Sequence, residues 1–166
     1  MSAGDATAFV VGASSGIGAA LARELGAAGC TVGLTARRRE RLDAVAATIE
    51  GPAVVSEMDV RDPAAAREAF ETLVDRLDGV GLVASVEGHN PDLSWTAERD
   101  TVDTSVRGFV ALATAALATL ETTRGGHLVG VSSVAAHTGH GRAPAYSASK
   151  TPIGGGYLRS RSPEDA

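Results

Sequence analysis

Cysteine is almost absent from this sequence, aromatic residues make up only 4% of it, and it has no long apolar run. A single cysteine, Cys30, excludes an internal disulfide and is typical of a reducing compartment, so we expect a cytoplasmic protein. No apolar run approaches the ~20 residues that span a bilayer, and the first residues lack the basic and apolar regions of a signal peptide. We therefore expect no membrane association.

The sequence also has no excess of basic residues. The 166 residues carry a net charge of −5, which argues against nucleic acid as a partner. A hydrophobic content of 44% with 21% charged residues is ordinary for a globular protein. We expect residues 1–166 to form a single domain, with 151–166 as a short irregular tail. His137 and His140 are interpreted as loop residues and not as metal ligands, because no third ligand cluster accompanies them.

A glycine-rich turn follows the first apolar run. Gly12, Gly16 and Gly18 have the spacing Gly-x-x-x-Gly-x-Gly, and an alanine-rich helical pattern begins there. A strand, a glycine turn and a helix N-terminus form the geometry that receives a pyrophosphate, because bare backbone N–H groups can approach the phosphates. The spacing alone is a weak signal among 20 glycines, but its position after the first strand strengthens it. The candidate cofactor-binding residues of this turn are Gly12, Ser14, Ser15, Gly16, Ile17 and Gly18.

Short apolar runs alternate with amphipathic helical patterns along the chain. This alternation predicts an α/β fold with a doubly wound parallel sheet of about five strands, each covered by helices on both faces. Between the fourth strand and a long helix we expect a polar loop, residues 87–98, with Trp95 packed against the body of the protein. The predicted strands are Ala8–Val11, Thr31–Thr35, Ala53–Ser56, Val80–Ser85 and His127–Ser133.

Two arginines follow the second predicted strand, where an acidic residue would hold the ribose 2′-hydroxyl of NAD. Arg37 and Arg38 would instead receive the 2′-phosphate of NADP, and we favour Arg37. Cations at a helix N-terminus oppose the helix dipole and need another reason to be there, although a solvated helix start is the alternative. One charge-assisted hydrogen bond of roughly 1.5–3 kcal/mol would favour NADP over NAD by about one to two decades. Asp59 and Val60, after the third strand, could hold the adenine edge or be plain loop residues.

Tyr146 and Lys150 are four residues apart and would share one face of a helix. A lysine charge about 4 Å from a phenol favours the phenolate by roughly 4 kcal/mol at an effective dielectric of ~20, enough for acid–base work near neutral pH. Ser133, at the end of the fifth predicted strand, could hold a substrate carbonyl oxygen, because ligands bind at the carboxyl ends of such strands. Ser133, Tyr146 and Lys150 are therefore the candidate catalytic residues.

Taken in order, these motifs resemble the classical short-chain dehydrogenase/reductase family from about Thr7 to Lys150. The resemblance implies a Rossmann-type NAD(P)-binding domain and hydride transfer between a nicotinamide cofactor and a small-molecule alcohol or carbonyl substrate. It implies that Tyr146 is the acid/base and that Lys150 favours its phenolate and binds the nicotinamide ribose. Ser133 would orient the substrate. The arginines after the second strand make NADP the expected cofactor, with NAD as the alternative.

The sequence departs from the family pattern in three places. Ser85–Gly88 replaces the usual Asn-Asn-Ala-Gly, and Ser105 replaces an asparagine that helps to seat the lysine. After Lys150 the family adds further strands and a substrate lid that 151–166 do not resemble, so the sheet is expected to be incomplete on its C-terminal side. An open sheet edge there predicts self-association into a homo-oligomer, or poor solubility. The alternative function is a non-catalytic or truncated relative that binds a nucleotide or a partner protein.

Overall fold

The computed structural model describes residues 6–77, 94–122, 126–138, 143–154 and 159–160. The predicted strand Val80–Ser85, the segment Ser85–Gly88 and His140 lie outside these residues. The first half contains β1 (Thr7–Val11), α1 (Gly16–Ala27), β2 (Thr31–Ala36), α2 (Arg39–Ala46), β3 (Ala53–Glu57) and α3 (Pro63–Leu77). The second half contains α4 (Trp95–Val102), a π-helical stretch (Asp103–Gly108), α5 (Phe109–Thr122), β4 (His127–Leu128), α6 (Ala135–Thr138), α7 (Pro144–Gly154) and β5 (Arg159–Ser160).

The strands β1, β2 and β3 form a parallel sheet with β2 in the middle. Alternate residues of β1 point to opposite faces, as strand geometry requires. Phe9 and Val11 join the core formed with α3 and α5, whereas Ala8 and Val10 join the core formed with α1 and α2. Helices thus cover both faces, which confirms the predicted doubly wound α/β fold for these strands.

The fifth predicted strand is much shorter than expected. Only His127–Leu128 is a strand, and it pairs antiparallel with Arg159–Ser160. Leu128 packs into the core with α3 and α5, and Val131 packs against the opposite core. The segment therefore contacts both sides of the sheet layer, although only two of its residues pair. The expectation of an unpaired edge is wrong at these two residues, because the chain itself supplies a partner strand.

The polar loop predicted up to Glu98 ends earlier, because α4 begins at Trp95. The hydroxyl of Ser94 accepts a hydrogen bond from the N–H of Ala97 at 3.3 Å and caps this helix. Trp95 is 77% exposed, so the expectation that it packs against the body is wrong. At the other end of the chain α7 runs to Gly154, past Pro152, whose missing N–H removes one helical hydrogen bond without ending the helix.

Gly18 lies where α1 crosses the end of β1, and a Cβ atom there would collide with the backbone carbonyl of Gly12. We expect Gly18→Ala to lower the free energy of unfolding by about 3 kcal/mol, the upper part of the usual range for overpacking. Gly16→Ala is the matched control. It would meet open space at a φ of +56°, so only the left-handed backbone penalty of about 1 kcal/mol applies. Urea unfolding measures the free energy of unfolding of both variants. Equal losses of stability would contradict the close approach of Gly18 to the Gly12 carbonyl.

Candidate functional site

The glycine turn sits at the carboxyl edge of the sheet. Gly12 and Gly16 have φ values of 80° and 56°, in the left-handed region that glycine adopts without strain. The N–H groups of Gly12 and Ala13 both donate to the carbonyl of Thr35, at 2.8 and 3.1 Å. The turn is thereby fixed to the end of β2. Apart from its chain neighbours and the backbone of its own helix, no described atom lies within 4 Å of a Cβ built on Gly16, and Ile17 is 57% exposed. The first turn of α1 therefore faces open space, with the positive end of the helix dipole toward it.

Arg38 lies directly beside this turn. Its Nη2 donates hydrogen bonds to the hydroxyls of Ser14 at 3.1 Å and Ser15 at 3.4 Å. Ser15 is the N-cap residue of α1, and its hydroxyl makes no capping bond to that helix. Arg37 is exposed and lies close enough to Asp59 for its charge to act on that carboxylate. The structure thus brings Arg38 to the glycine turn and Arg37 toward the segment after β3.

Asp59 forms a tight ion pair with Arg61, with a closest N–O distance of 2.6 Å. Hydrogen bonds from Arg61 hold the pKa of the Asp59 carboxyl below its ordinary value, although partial burial opposes them. The same bonds raise the pKa of Arg61. Arg61 also lies 3.8 Å from the carboxylate of Asp100 and so links the segment after β3 to α4. Sequence reasoning missed Arg61, although its position two residues after Asp59 was a usable signal.

A lowered pKa means that Asp59 stabilises the folded chain near neutral pH, and that this contribution is lost as the pH falls through the folded-state pKa, below about 4. The side chains of Arg61 and Asp59 are 38% and 37% exposed. We therefore expect their ion pair to contribute only about 0.2–1 kcal/mol to the free energy of unfolding. Asp59→Asn should lower the free energy of unfolding by this amount near pH 7 and by less near pH 3, because the contribution declines as the pH falls toward the lowered pKa. Urea unfolding at both pH values measures it, and a pH-independent difference would refute the assignment.

Tyr146 and Lys150 occupy one face of α7, as their spacing predicts. The Nζ of Lys150 lies over the Tyr146 ring, 5.5 Å from the ring centroid. Lys150 is only 2% exposed, whereas Tyr146 is half-buried. A cation in this position is attracted by the ring and is poorly screened by water, because little solvent reaches it. The hydroxyl of Ser132 donates to the carbonyl of Lys150 at 2.9 Å and fixes this part of α7 to the segment that follows β4.

Ser133 directly follows Ser132, whose hydroxyl contacts α7, and lies just before α6. Its hydroxyl accepts a hydrogen bond from the N–H of Ala135 at 3.2 Å. The neighbouring Val134 is 78% exposed. Because α6 packs against α7, Ser133 belongs to the same region of the fold as the tyrosine and the lysine. Its predicted role in orienting a substrate stays a prediction.

The π-helical stretch between α4 and α5 packs against α7 and against the segment after β3. A Cβ on Gly108 would lie 2.6 Å from the carbonyl oxygen of Val60, so glycine is required for this contact. Ser105, in the middle of the stretch, is completely buried. Single π-turns inside α-helices occur frequently at functional sites. This stretch therefore connects the two groups of candidate residues, those after β3 and those on α7.

Glu98 contacts the start of α7, which sequence reasoning did not find. Its Oε2 accepts a hydrogen bond of 2.7 Å from the N–H of Ala145, at the start of α7. The two residues are 47 positions apart, and no local pattern connects them. Only the packing of α4 against α7 brings them together.

Within the described parts of the chain, no group of three His, Cys, Asp or Glu side chains is placed to hold a metal ion. No helix in those parts is long and apolar enough to cross a membrane.

Known proteins are similar to this chain in both sequence and fold. A sequence model of the short chain dehydrogenases matches residues 6–155. An uncharacterized oxidoreductase of Myxococcus xanthus is 36% identical over 152 residues, which cover 87% of this chain and 60% of the relative. A sulfoacetaldehyde reductase of Chromohalobacter salexigens is 34% identical over 154 residues, covering 86% of this chain and 60% of the relative.

A solved structure with the same architecture is a short chain dehydrogenase from Burkholderia cenocepacia J2315 in complex with NADP. It aligns with a TM-score of 0.80 at 30% identity, over 93% of this chain and 66% of that one. The chain thus spans about 60% of the length of the two relatives named above. The match covers the glycine turn, the sheet and the Tyr146–Lys150 helix together, and on this evidence the chain belongs to the short-chain dehydrogenase family.

Proposed function

We propose that this chain is an NADP-preferring oxidoreductase that interconverts an alcohol and a carbonyl compound. The observation that carries the proposal is the glycine turn, where left-handed Gly12 and Gly16 leave open space at the start of α1 and Arg38 lies against the turn serines. Bare N–H groups and a helix N-terminus suit a pyrophosphate. A guanidinium at the same edge suits a ribose 2′-phosphate, because it can bind phosphate with two parallel hydrogen bonds.

The residues present fit a dinucleotide along this edge. Gly12, Ser14, Ser15, Gly16, Ile17 and Gly18 would hold the pyrophosphate. Arg38 and Arg37 would share the 2′-phosphate, and the Asp59–Val60 segment would border the adenine. Arg61 already makes four hydrogen-bond contacts to the two Asp59 carboxylate oxygens, two at each. A contact between Asp59 and the adenine amino group would therefore require Arg61 to release one of them. A bound NADPH would supply the hydride for carbonyl reduction.

The acid–base work falls to the helix α7. The Tyr146 hydroxyl would donate its proton to the carbonyl oxygen of the substrate, and the buried Lys150 ammonium would stabilise the phenolate left behind. Ser133 would hold the same oxygen by a hydrogen bond. The substrate is a small-molecule alcohol or carbonyl compound. The Chromohalobacter relative is named a sulfoacetaldehyde reductase, so short aldehydes are a reasonable first set to test.

Fluorescence titration of the chain with NADPH and with NADH tests cofactor binding, and NADPH consumption across a panel of short aldehydes and ketones tests the reaction. Binding with preference for NADPH and turnover of some carbonyl compound support the proposal. Binding without turnover of any panel member would favour the alternative, a relative that binds the nucleotide without chemistry. Absence of binding to either cofactor would overturn both.

Self-association is proposed as well. In the described part of the chain, α4 and α5 expose three large apolar side chains, with exposures of 77% for Trp95, 38% for Val102 and 53% for Val110. A second copy of the chain would remove such surface from water. Sedimentation should therefore show dimers or larger species. The proposed compartment is the cytoplasm, in keeping with the single buried cysteine, Cys30.

A further inference from the structure

The start of α7 is held by a side chain from a distant helix. Pro144, the first residue of α7, has no N–H, so Ala145 supplies the first N–H of the helix. Helix N–H groups at this position have no partner inside their own helix. Here the carboxylate of Glu98 on α4 accepts the Ala145 N–H at 2.7 Å. The contact is partly buried, and the negative charge lies at the positive end of the α7 dipole.

The position of this contact relative to the reacting side chains is the reason to consider it functional. Ala145 directly precedes Tyr146. A second tether, from the Ser132 hydroxyl to the Lys150 carbonyl at 2.9 Å, holds the other end of the same segment. The five residues from 146 to 150 are therefore fixed on both sides, each time by a residue from another element. A shift of the helix start would move the Tyr146 hydroxyl relative to anything bound beside it.

We propose that Glu98 is a positioning residue for the catalytic tyrosine: by capping α7 at Ala145 it sets the orientation of Tyr146. Ser94 already caps α4, and the Glu98 side chain leaves its own helix to reach another. A surface glutamate that only stabilised α4 would not cross to α7. Because a positioning role has meaning only for a chain that carries out chemistry, this role of Glu98 rests on the proposed oxidoreductase function.

Three variants of the full chain separate the possibilities. Glu98→Ala removes the acceptor, Glu98→Gln keeps an acceptor oxygen at the same reach without the charge, and Thr96→Ala changes an exposed neighbour on α4 as the matched control. The rate of amide hydrogen exchange at Ala145 measures whether the hydrogen bond to Glu98 is present. We expect exchange in Glu98→Ala to be about 10- to 150-fold faster than in the wild type, the factor expected for losing one hydrogen bond to a charged group. Glu98→Gln should lose less protection than Glu98→Ala, and Thr96→Ala none.

The NMR signals of the Tyr146 ring and the steady-state kinetics report the orientation of Tyr146. We expect the ring signals to shift in Glu98→Ala and not in Thr96→Ala. Because a misplacement of about 1 Å can reduce a rate by about 100-fold, we expect kcat of Glu98→Ala to fall by up to that factor. The dissociation constant of NADPH should stay within about threefold, since the described contact of Glu98 is with the start of α7. Glu98→Gln should recover most of kcat.

The outcomes distinguish this role from the function on which it rests. Unchanged Ala145 exchange in Glu98→Ala would show that the contact is absent and would overturn the proposal. So would faster exchange with unchanged Tyr146 ring signals and unchanged kcat. If the wild type neither binds NADPH nor reduces any carbonyl compound, the oxidoreductase function fails. The exchange rates and ring signals would then still decide whether Glu98 orients Tyr146.

Discussion

Tyr146→Phe is expected to reduce kcat for carbonyl reduction by about 10²- to 10⁴-fold, the usual contribution of a positioned general acid. The change removes one oxygen and keeps the ring. Lys150 lies over that ring, 5.5 Å from its centroid, so the contact between the cation and the aromatic face survives the substitution. The loss of activity would therefore report the hydroxyl alone. NADPH affinity should fall by about tenfold at most, the effect of losing one neutral hydrogen bond.

Tyr157→Phe is the matched control, because it removes the same group from the chain's second tyrosine. Steady-state kinetics with the best carbonyl compound of the panel, together with NADPH titration, measure both variants. We expect Tyr157→Phe to match the wild type. Activity of Tyr146→Phe within about threefold of the wild type would remove this phenol from the reaction, since a general acid contributes far more than that.

The second large effect concerns the choice between NADP and NAD. Both arginines are exposed. Arg38 touches both turn serines, whereas Arg37 acts on Asp59. Each guanidinium that binds the 2′-phosphate contributes roughly 1.5–3 kcal/mol, so its replacement by alanine should weaken NADPH binding by about 10- to 150-fold. NADH lacks that phosphate, and its affinity should change by less than about threefold. The sequence favours Arg37 for this role, and the contacts of Arg38 make it an equal candidate.

Arg39→Ala provides the control for charge alone. Arg39 is the next residue in the chain, but its guanidinium is bound to Asp43 on α2 at 3.0 Å. Fluorescence titrations of the three alanine variants with NADPH and NADH, at low and at high salt, separate a specific contact from a general attraction, because salt screens exposed charges. If Arg37→Ala and Arg38→Ala both bind NADPH like Arg39→Ala, the phosphate site has been assigned to the wrong residues.

Local features of the site could be read from the sequence because they depend on residues that are close in the chain. The requirement for glycine at position 18 follows from a strand–turn–helix unit, and the structure places Gly18 against the Gly12 carbonyl as that unit demands. Tyr146 and Lys150 meet because residues four apart share a helix face. The ends of the first three strands were predicted to within one residue, since short apolar runs between helices identify buried parallel strands.

Contacts between distant residues could not be read in this way. Trp95 was expected to be packed and is exposed, because its exposure depends on which face of α4 meets the core. The antiparallel pairing of His127–Leu128 with Arg159–Ser160 joins two segments whose compositions carry no pairing signal. The contact of Glu98 with Ala145 spans 47 residues and exists only because α4 packs against α7.

By itself the sequence determined the doubly wound α/β fold, the glycine turn and the placement of Tyr146 and Lys150 on one helical face. Each of these depends on the periodicity and size of neighbouring residues. The tertiary structure alone decided which arginine lies at the turn, which cation pairs with Asp59 and which carboxylate caps the helix of Tyr146. The physical reason is that charges and hydrogen bonds act over a few ångströms. Such contacts are made by whichever side chains the packing of whole helices and strands brings within that distance.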